Sequence, residues 1–407
     1  MKMIFKPLAI GFACASMLLG GCQDKEDEKE TIPQNEYEPT FTKVTGYVFK
    51  PAIVPASDEN VNKLNKPQGF TVNKFAEGGG KFRMLAVSST GVVYATDREA
   101  GTLTMFRDIN ADGKADERQV VATRQNMHGI TIYNNTMYMV TAREVLSAAI
   151  NSNGTLGGLQ ILMTDLPDAG QHNNRTIAFG PDGLMYISIG STCNACEESN
   201  KENATLVRAN PDGTNRKIFA KGLRNMIGFG WHPQTKELWG MDHGIDWLGD
   251  EDQKEELNKI AQGADYGWPY IYGEGKFYPQ LAPPGDTTYQ QYLAKTTLPL
   301  LTYEAHSAPL GMIFYTGSTF PPEYQNDAFV AMRGSWNRKQ PSGYKIVRLH
   351  FENGQPTQFQ DFVGSFLVND NKGQFARITG ITVHTDGSLL VADDSNGVIY
   401  RIAYSGQ

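Results

Sequence analysis

Six times along the chain a short apolar run, a turn bearing Gly, Asp or Asn, and a second apolar run follow one another. They fall at 84–87 with 92–97, 129–132 with 137–140, and 177–179 with 184–189, then at 227–231 with 237–242, 312–315 with 328–332, and 380–383 with 389–393. Each is the pattern of a β-hairpin, and a unit returning every 40 to 80 residues, roughly, matches the blades of a propeller better than a sandwich or βαβ units. An all-β, six-bladed β-propeller is therefore the expected fold over residues 61–407. Helical periodicity is scarce, and its best case, 250–261, is short and acidic. The 42 glycines suit many tight turns. In such a ring, loops from every blade converge at one end of a central channel, so residues distant in sequence can share a site.

The amino terminus carries separate instructions. Lys2 and Lys6 precede an apolar run that ends at Leu19-Gly20-Gly21-Cys22, the form of a bacterial lipoprotein signal. Residues 1–21 are thus expected to be a signal peptide too short for a durable membrane span, with Cys22 as the lipidated residue. This implies a lipid-anchored protein of the bacterial cell envelope, touching the membrane through the anchor alone. Gln23 avoids the aspartate associated with inner-membrane retention. Residues 22–60 are expected to form a flexible tether, since the stretch after Cys22 is rich in Glu, Asp, Lys and Pro with little to bury. A formal charge of −7 offers no global basic field, which sets nucleic acid aside as a partner. In an oxidising compartment Cys193 and Cys196, a C-x-x-C pair in a loop, most simply close a small disulfide.

Three groups of residues could carry chemistry. Asp108, Asn110, Asp112 and Asp116 place side-chain oxygens about a Gly turn, with the carbonyl of Lys114 as a further donor; the spacing suits calcium, or else an Asx-rich hairpin turn. Asp242, Asp246, Asp250, Glu251 and Asp252 read equally as a second hard-cation site or as an acidic surface loop. Finally, His128, His172, Arg224, His306, Arg333 and Arg377 stand beside the recurring hairpins and would ring one end of the channel with basic groups. His172, in Gln171-His172-Asn173-Asn174-Arg175, is suited to take and return a proton near neutral pH.

Taken in order, Gln171-His172-Asn173-Asn174-Arg175, Phe179-Gly180-Pro181-Asp182-Gly183, the Gly190–Cys196 stretch, Gly222-Leu223-Arg224-Asn225, Glu255-Glu256-Leu257-Asn258 and Tyr266-Gly267-Trp268-Pro269 resemble the L-sorbosone dehydrogenase branch of the pyrroloquinoline quinone (PQQ) sugar dehydrogenases. His306-Ser307-Ala308-Pro309-Leu310-Gly311 and Arg333-Gly334-Ser335-Trp336-Asn337-Arg338 extend the likeness. The resemblance implies a six-bladed propeller carrying PQQ and Ca2+, oxidising a sugar substrate and passing electrons to an acceptor such as a cytochrome or quinone. It implies His172 as general base, Arg224, Asn225, Arg333 and Arg377 as cofactor ligands, backbone carbonyls of Gly244 and Ile245 as calcium ligands, and His128 and His306 beside the substrate. Arg333 stands where glucose dehydrogenases carry a lysine, and Gly244-Ile245 replaces a glycine-proline pair. Two other readings of a propeller remain: a calcium-dependent lactonase and a non-catalytic carbohydrate- or protein-binding module.

Overall fold

The computed structural model describes residues 48–167 and 170–406. The expected signal peptide, Cys22 and most of the tether lie outside them. Six four-stranded antiparallel sheets make up the body of the protein. Blade 1 runs Phe82–Val87, Val93–Asp97, Thr102–Arg107, Glu117–Thr123; blade 2, Gly129–Tyr133, Thr136–Val140, Val145–Ala149, Gln160–Met163; and blade 3, Thr176–Phe179, Met185–Ile189, Thr205–Ala209, Lys217–Lys221. Blade 4 takes Phe229–Trp231, Leu238–Asp242, Glu255–Ile260 and, after an insertion, Leu301–Tyr303. Blade 5 is Pro309–Phe314, Ala328–Met332, Lys345–Glu352 and Gln355–Val363. Blade 6 has only three strands from its own stretch, Ile378–Val383, Leu389–Asp393 and Ile399–Tyr404; its outer strand is Phe70–Ala76, which pairs Phe70 with Tyr404 and Val72 with Ile402. The first strand of the propeller thus completes its last blade and closes the ring.

The core lies between blades. Tyr94 and Leu103 of blade 1 pack with Ile130 and Met139 of blade 2, and corresponding apolar clusters join each blade to the next around to Leu390 and Ile399 of blade 6 against Phe82 and Val93 of blade 1. Second strands such as Val93–Asp97, Met185–Ile189 and Leu389–Asp393 are buried at every position, because both of their faces meet another blade. That is why they read as unbroken apolar runs instead of alternating ones. Outer strands such as Glu117–Thr123 are largely exposed.

Two expectations need correction. Residues 255–260, within the proposed helical segment, form the third strand of blade 4, where Glu255, Glu256, Leu257 and Asn258 are all buried. The tether does not extend to residue 60: Ala52–Ile53 pairs with Gly373–Gln374, and a helix at Asp58–Asn62, capped by Ser57, buries Val61 against the core. Backbone pairing and several apolar anchors, Phe49, Val54 and Ala56 beside Val61, dock this stretch.

Candidate active site

In an antiparallel hairpin the start of the first strand and the end of the second are neighbours, so residues just before one and just after the other gather at the same end of each blade. Ala308 and Arg333 take these places in blade 5 and Arg377 and Asp394 in blade 6; in blade 1 they go to Arg83, at the start of the first strand, and Arg98, and in blade 4 to Asn225, four residues ahead of the strand, and His243. These residues line one cavity of about 560 Å³, together with Lys81, Asn174 and, among others, Trp336 and Ile53. This volume lies in the range of small-molecule sites. Of the six basic residues expected to ring the channel, Arg333 and Arg377 line this cavity and His128, His172, Arg224 and His306 do not; Lys81, Arg83 and Arg98 stand there instead.

One wall is charged. Asp394 is shared by two arginines: its Oδ2 accepts from Arg83 Nη1 at 2.6 Å and from Arg333 Nε at 2.9 Å, while Oδ1 accepts from Arg333 Nη2 at 3.2 Å. Against the effect of burial, these guanidiniums hold its carboxyl below the usual carboxylate range. Arg377 donates from Nη2 to the Gly334 carbonyl at 2.5 Å and sits over the Tyr344 ring; burial, then neighbouring Arg333, lowers its pKa to about 10.

The side formed by Asn174, Asn225 and His243 is neutral, and His172, which does not itself line the cavity, lies next to it across Gly190. His172 Nδ1 lies 2.7 Å from Ser191 Oγ and 3.1 Å from the Ser191 carbonyl. Ser191 Oγ donates its one hydrogen to the Cys193 carbonyl at 2.7 Å, so toward the imidazole both Ser191 oxygens accept. The proton of His172 therefore sits on Nδ1, and Nε2 keeps its lone pair with no hydrogen-bond partner among the described residues. Burial, then the charge of Arg224, depresses the His172 pKa to about 2, which keeps the ring neutral. His243 donates from Nε2 to the Pro309 carbonyl at 2.5 Å and accepts at Nδ1 from Asn225 Nδ2 at 3.2 Å, leaving Asn225 Oδ1 buried and unpaired. Gly190 separates His172 from Asn225: a Cβ there would stand 2.6 Å from the His172 Cβ and 3.1 Å from Asn225 Oδ1.

The remaining expected residues divide. Arg224 is buried, but its Nε and Nη2 go to the carbonyl and side-chain oxygens of Asn194, and its Nη2 reaches Asp246 at 3.5 Å. Cys193 and Cys196 are bonded to each other, with Cα atoms 6.1 Å apart. His128 does not face a substrate. It is fully buried, donates from Nδ1 to the Arg175 carbonyl at 2.9 Å, and accepts at Nε2 from Arg83 Nε at 3.4 Å, so it supports Arg83 from beneath. His306 likewise is spent on structure, with Nε2 donating to the Gly249 carbonyl at 2.8 Å.

Of the metal readings, the loop at Asp108, Asn110, Asp112, Lys114 and Asp116 behaves as an Asx turn. Asp108 accepts from the Asp112 and Gly113 N–H groups, Asp112 from that of Lys114, and Asp116 from that of Ile109. Among the described residues its three carboxylates do not form a group with one oxygen from each mutually within 4.8 Å. The second acidic set is not a cage either: Asp242 accepts from the Arg224 and Asn225 backbones, Asp250 from that of Lys339, Glu251 from Arg338 and Asp252 from Lys276. Gly244 and Ile245 remain. Their N–H groups are held by Glu255 Oε2 and Gln253 Oε1, and no hydrogen bond reaches either carbonyl among the described residues.

The sequence reading missed Arg83, Arg98 and Asp394. Arg83 precedes Met84 just as His128 precedes Gly129, and extending the first repeat by one residue would have found it.

A propeller with a cation-walled cavity and a neutral histidine at one end defines a class, and the sequence agrees: residues 107–401 match the glucose/sorbosone dehydrogenase family, to which the chain belongs. An uncharacterized protein of Borreliella burgdorferi is 30% identical over 386 residues, covering 89% of this chain and 97% of its own length. A PQQ-dependent pyranose dehydrogenase of Coprinopsis cinerea is 31% identical over 127 residues, 27% of this chain and 17% of that one. Among solved structures, the holo form of the pyranose dehydrogenase PQQ domain from Coprinopsis cinerea superposes with a TM-score of 0.73 at 20% identity, covering 88% of this chain and 100% of that one. The apo aldose sugar dehydrogenase of Escherichia coli gives 0.61 at 17%, covering 82% and 99%. The six-bladed all-β fold is thereby shared with PQQ sugar dehydrogenases.

Proposed function

We propose that the protein is a PQQ-dependent dehydrogenase of an aldose or sugar aldehyde, a glucose- or sorbosone-like substrate, anchored to the bacterial envelope through Cys22 and passing electrons to a cytochrome or quinone. The observation that carries this reading is a neutral imidazole, its Nε2 unpaired, separated only by Gly190 from Asn225 of a cavity whose buried polar atoms lack partners: Asn225 Oδ1, Asn174 Oδ1 and Arg98 Nε. Buried polar atoms without partners are costly in a protein interior, and a polar ligand would satisfy them. PQQ, a flat tricarboxylate with an ortho-quinone, fits this donor set, and when bound it supplies the hydride acceptor. Arg333, Arg377 and Arg83 would meet its carboxylates, and the free carbonyls of Gly244 and Ile245 would hold the calcium ion.

His172 would take the proton of the substrate hydroxyl at Nε2, while Ser191 holds the proton on Nδ1. His128 and Asp394 would fix Arg83 and Arg333 in place. Purified protein given PQQ and Ca2+ should reduce a dye with one or more sugars of a panel, and His172→Ala should slow that reduction by orders of magnitude while still binding PQQ. Lactone opening that needs calcium but no PQQ, or no cofactor spectrum at all, would replace this reading. The anchor is tested separately: Cys22→Ser should release the protein from the membrane fraction.

A further inference from the structure

Beyond the base itself, the disulfide-closed turn of Cys193–Cys196 touches both sides of the neutral wall. Ser191, fully buried, accepts at its carbonyl from the His172 backbone N–H at 3.3 Å, and its own N–H donates to the Arg224 carbonyl at 2.8 Å. Its Oγ lies between His172 Nδ1 and the Cys193 carbonyl, 2.7 Å from each. One residue on, Asn194 is buried and spends its carbonyl and side-chain oxygens on the Arg224 guanidinium, with the side-chain oxygen also accepting from the Asp246 N–H at 3.2 Å. Glu198 ties down the other flank through the N–H and hydroxyl of Thr192, at 2.6 and 2.8 Å.

We infer that Ser191 is a positioning residue for His172, and that the Cys193–Cys196 disulfide is the brace that keeps it so. The inference rests on the proposed role of His172. The Ser191 carbonyl can only accept and already favours a proton on Nδ1; the nearer Oγ can donate or accept, so it adds to that preference only if its hydrogen is committed elsewhere. The carbonyl of Cys193 supplies that commitment because a carbonyl can only accept. The disulfide limits rotation of the peptide that carries this carbonyl. If that peptide turns away, Ser191 Oγ is free to donate to Nδ1 in competition with the Ser191 carbonyl, and the share of imidazole that carries its proton on Nε2, and is no base there, rises. The same rotation would carry Asn194 off Arg224, so one covalent link sets both the base and the guanidinium next to it.

The test reads the tautomer directly. Nitrogen-15 NMR of histidine-labelled apo-protein should show His172 with a protonated Nδ1 and a pyridine-type Nε2. In Ser191→Ala, which keeps only the carbonyl at 3.1 Å, and in the double variant Cys193→Ser/Cys196→Ser, the Nε2 signal should move part of the way toward the protonated form. In the PQQ-loaded enzyme, kcat should fall about tenfold in each with KM little changed, and Ser191→Thr, which keeps the hydroxyl, should recover most of it. Melting curves would exclude variants that fail to fold, in which case the wild-type tautomer decides. A wild-type Nε2–H tautomer overturns the inference, as does activity lost in Ser191→Ala with the tautomer unchanged. Because the NMR arm needs no cofactor, a protein that never oxidises a sugar would sink the dehydrogenase reading and leave the tautomer result standing.

Discussion

The two walls of the cavity solve opposite problems. On the side of blades 5, 6 and 1, the single carboxylate of Asp394 pairs with both Arg83 and Arg333 in a partly dry place. On the side of blades 3 and 4, His172 and His243 are kept neutral by burial and by nearby arginine charge, at pKa values of about 2 and about 4. Fixed charge demands a paired partner, whereas a base must have none on its working nitrogen. A ligand that is anionic at one end and exchanges a proton at the other would suit both.

The sharpest way to break this contrast is at the neutral wall. His172→Ala should lower kcat by roughly 10³-fold with PQQ affinity preserved, because only the proton acceptor is lost; single-turnover kinetics and cofactor titration together would show it. Next is the charged wall. Asp394→Asn leaves two arginines unpaired and facing one another, and should destabilise the fold by about 3 kcal/mol in a denaturant titration. The sign with pH follows from the depressed Asp394 carboxyl: its stabilising contribution is present above the ordinary carboxylate pKa and is lost as pH falls through the lowered folded value. A smaller effect distinguishes His172 from a solvent-exposed histidine. The pH profile of kcat/KM should lack a limb near 6.5, since burial keeps the ring neutral well below that value. A titration at 6.5 would mean that His172 is hydrated and the two walls are less distinct than described.

Much of this was legible in the chain, and the rest was hidden for a physical reason. The hairpins announced themselves because second strands such as Leu389–Asp393 are buried on both faces. His172, Arg333 and Arg377 were visible as polar residues abutting those runs. Their partners were not. Local pattern gives no hint that Asp394 meets Arg83, 311 residues away, or that Phe70–Ala76 completes the sheet of Ile399–Tyr404. Hence a ring of basic residues looked uniformly free for a ligand, while in the fold His128 and His306 are consumed by carbonyl groups. The acidic run 242–252 misled in the same way. Its carboxylates could be counted, but the separate N–H groups and cations that claim each one come from other parts of the chain.

The same comparison extends behind the neutral wall, where carboxyl groups replace imidazoles as the buried groups. Glu256 is buried in the third strand of blade 4, accepting from the Gly273 N–H at 2.6 Å and from Asn258 Nδ2 at 3.3 Å. Burial, then the neighbouring Asp242 carboxyl, raises its pKa from an ordinary 4.5 to about 8. The folded chain therefore keeps a proton that the unfolded chain gives up, and this group costs stability progressively as pH rises from 4.5 toward 8. Glu256→Gln retains an oxygen to accept from Gly273 and removes the charge. The variant should match wild type near pH 4.5 and melt a few degrees higher near pH 8, a gain of about 1 kcal/mol. Melting temperatures recorded side by side across that window test it, and a gap that shrinks as pH rises would mean Glu256 is ionised in the fold and held by a cation.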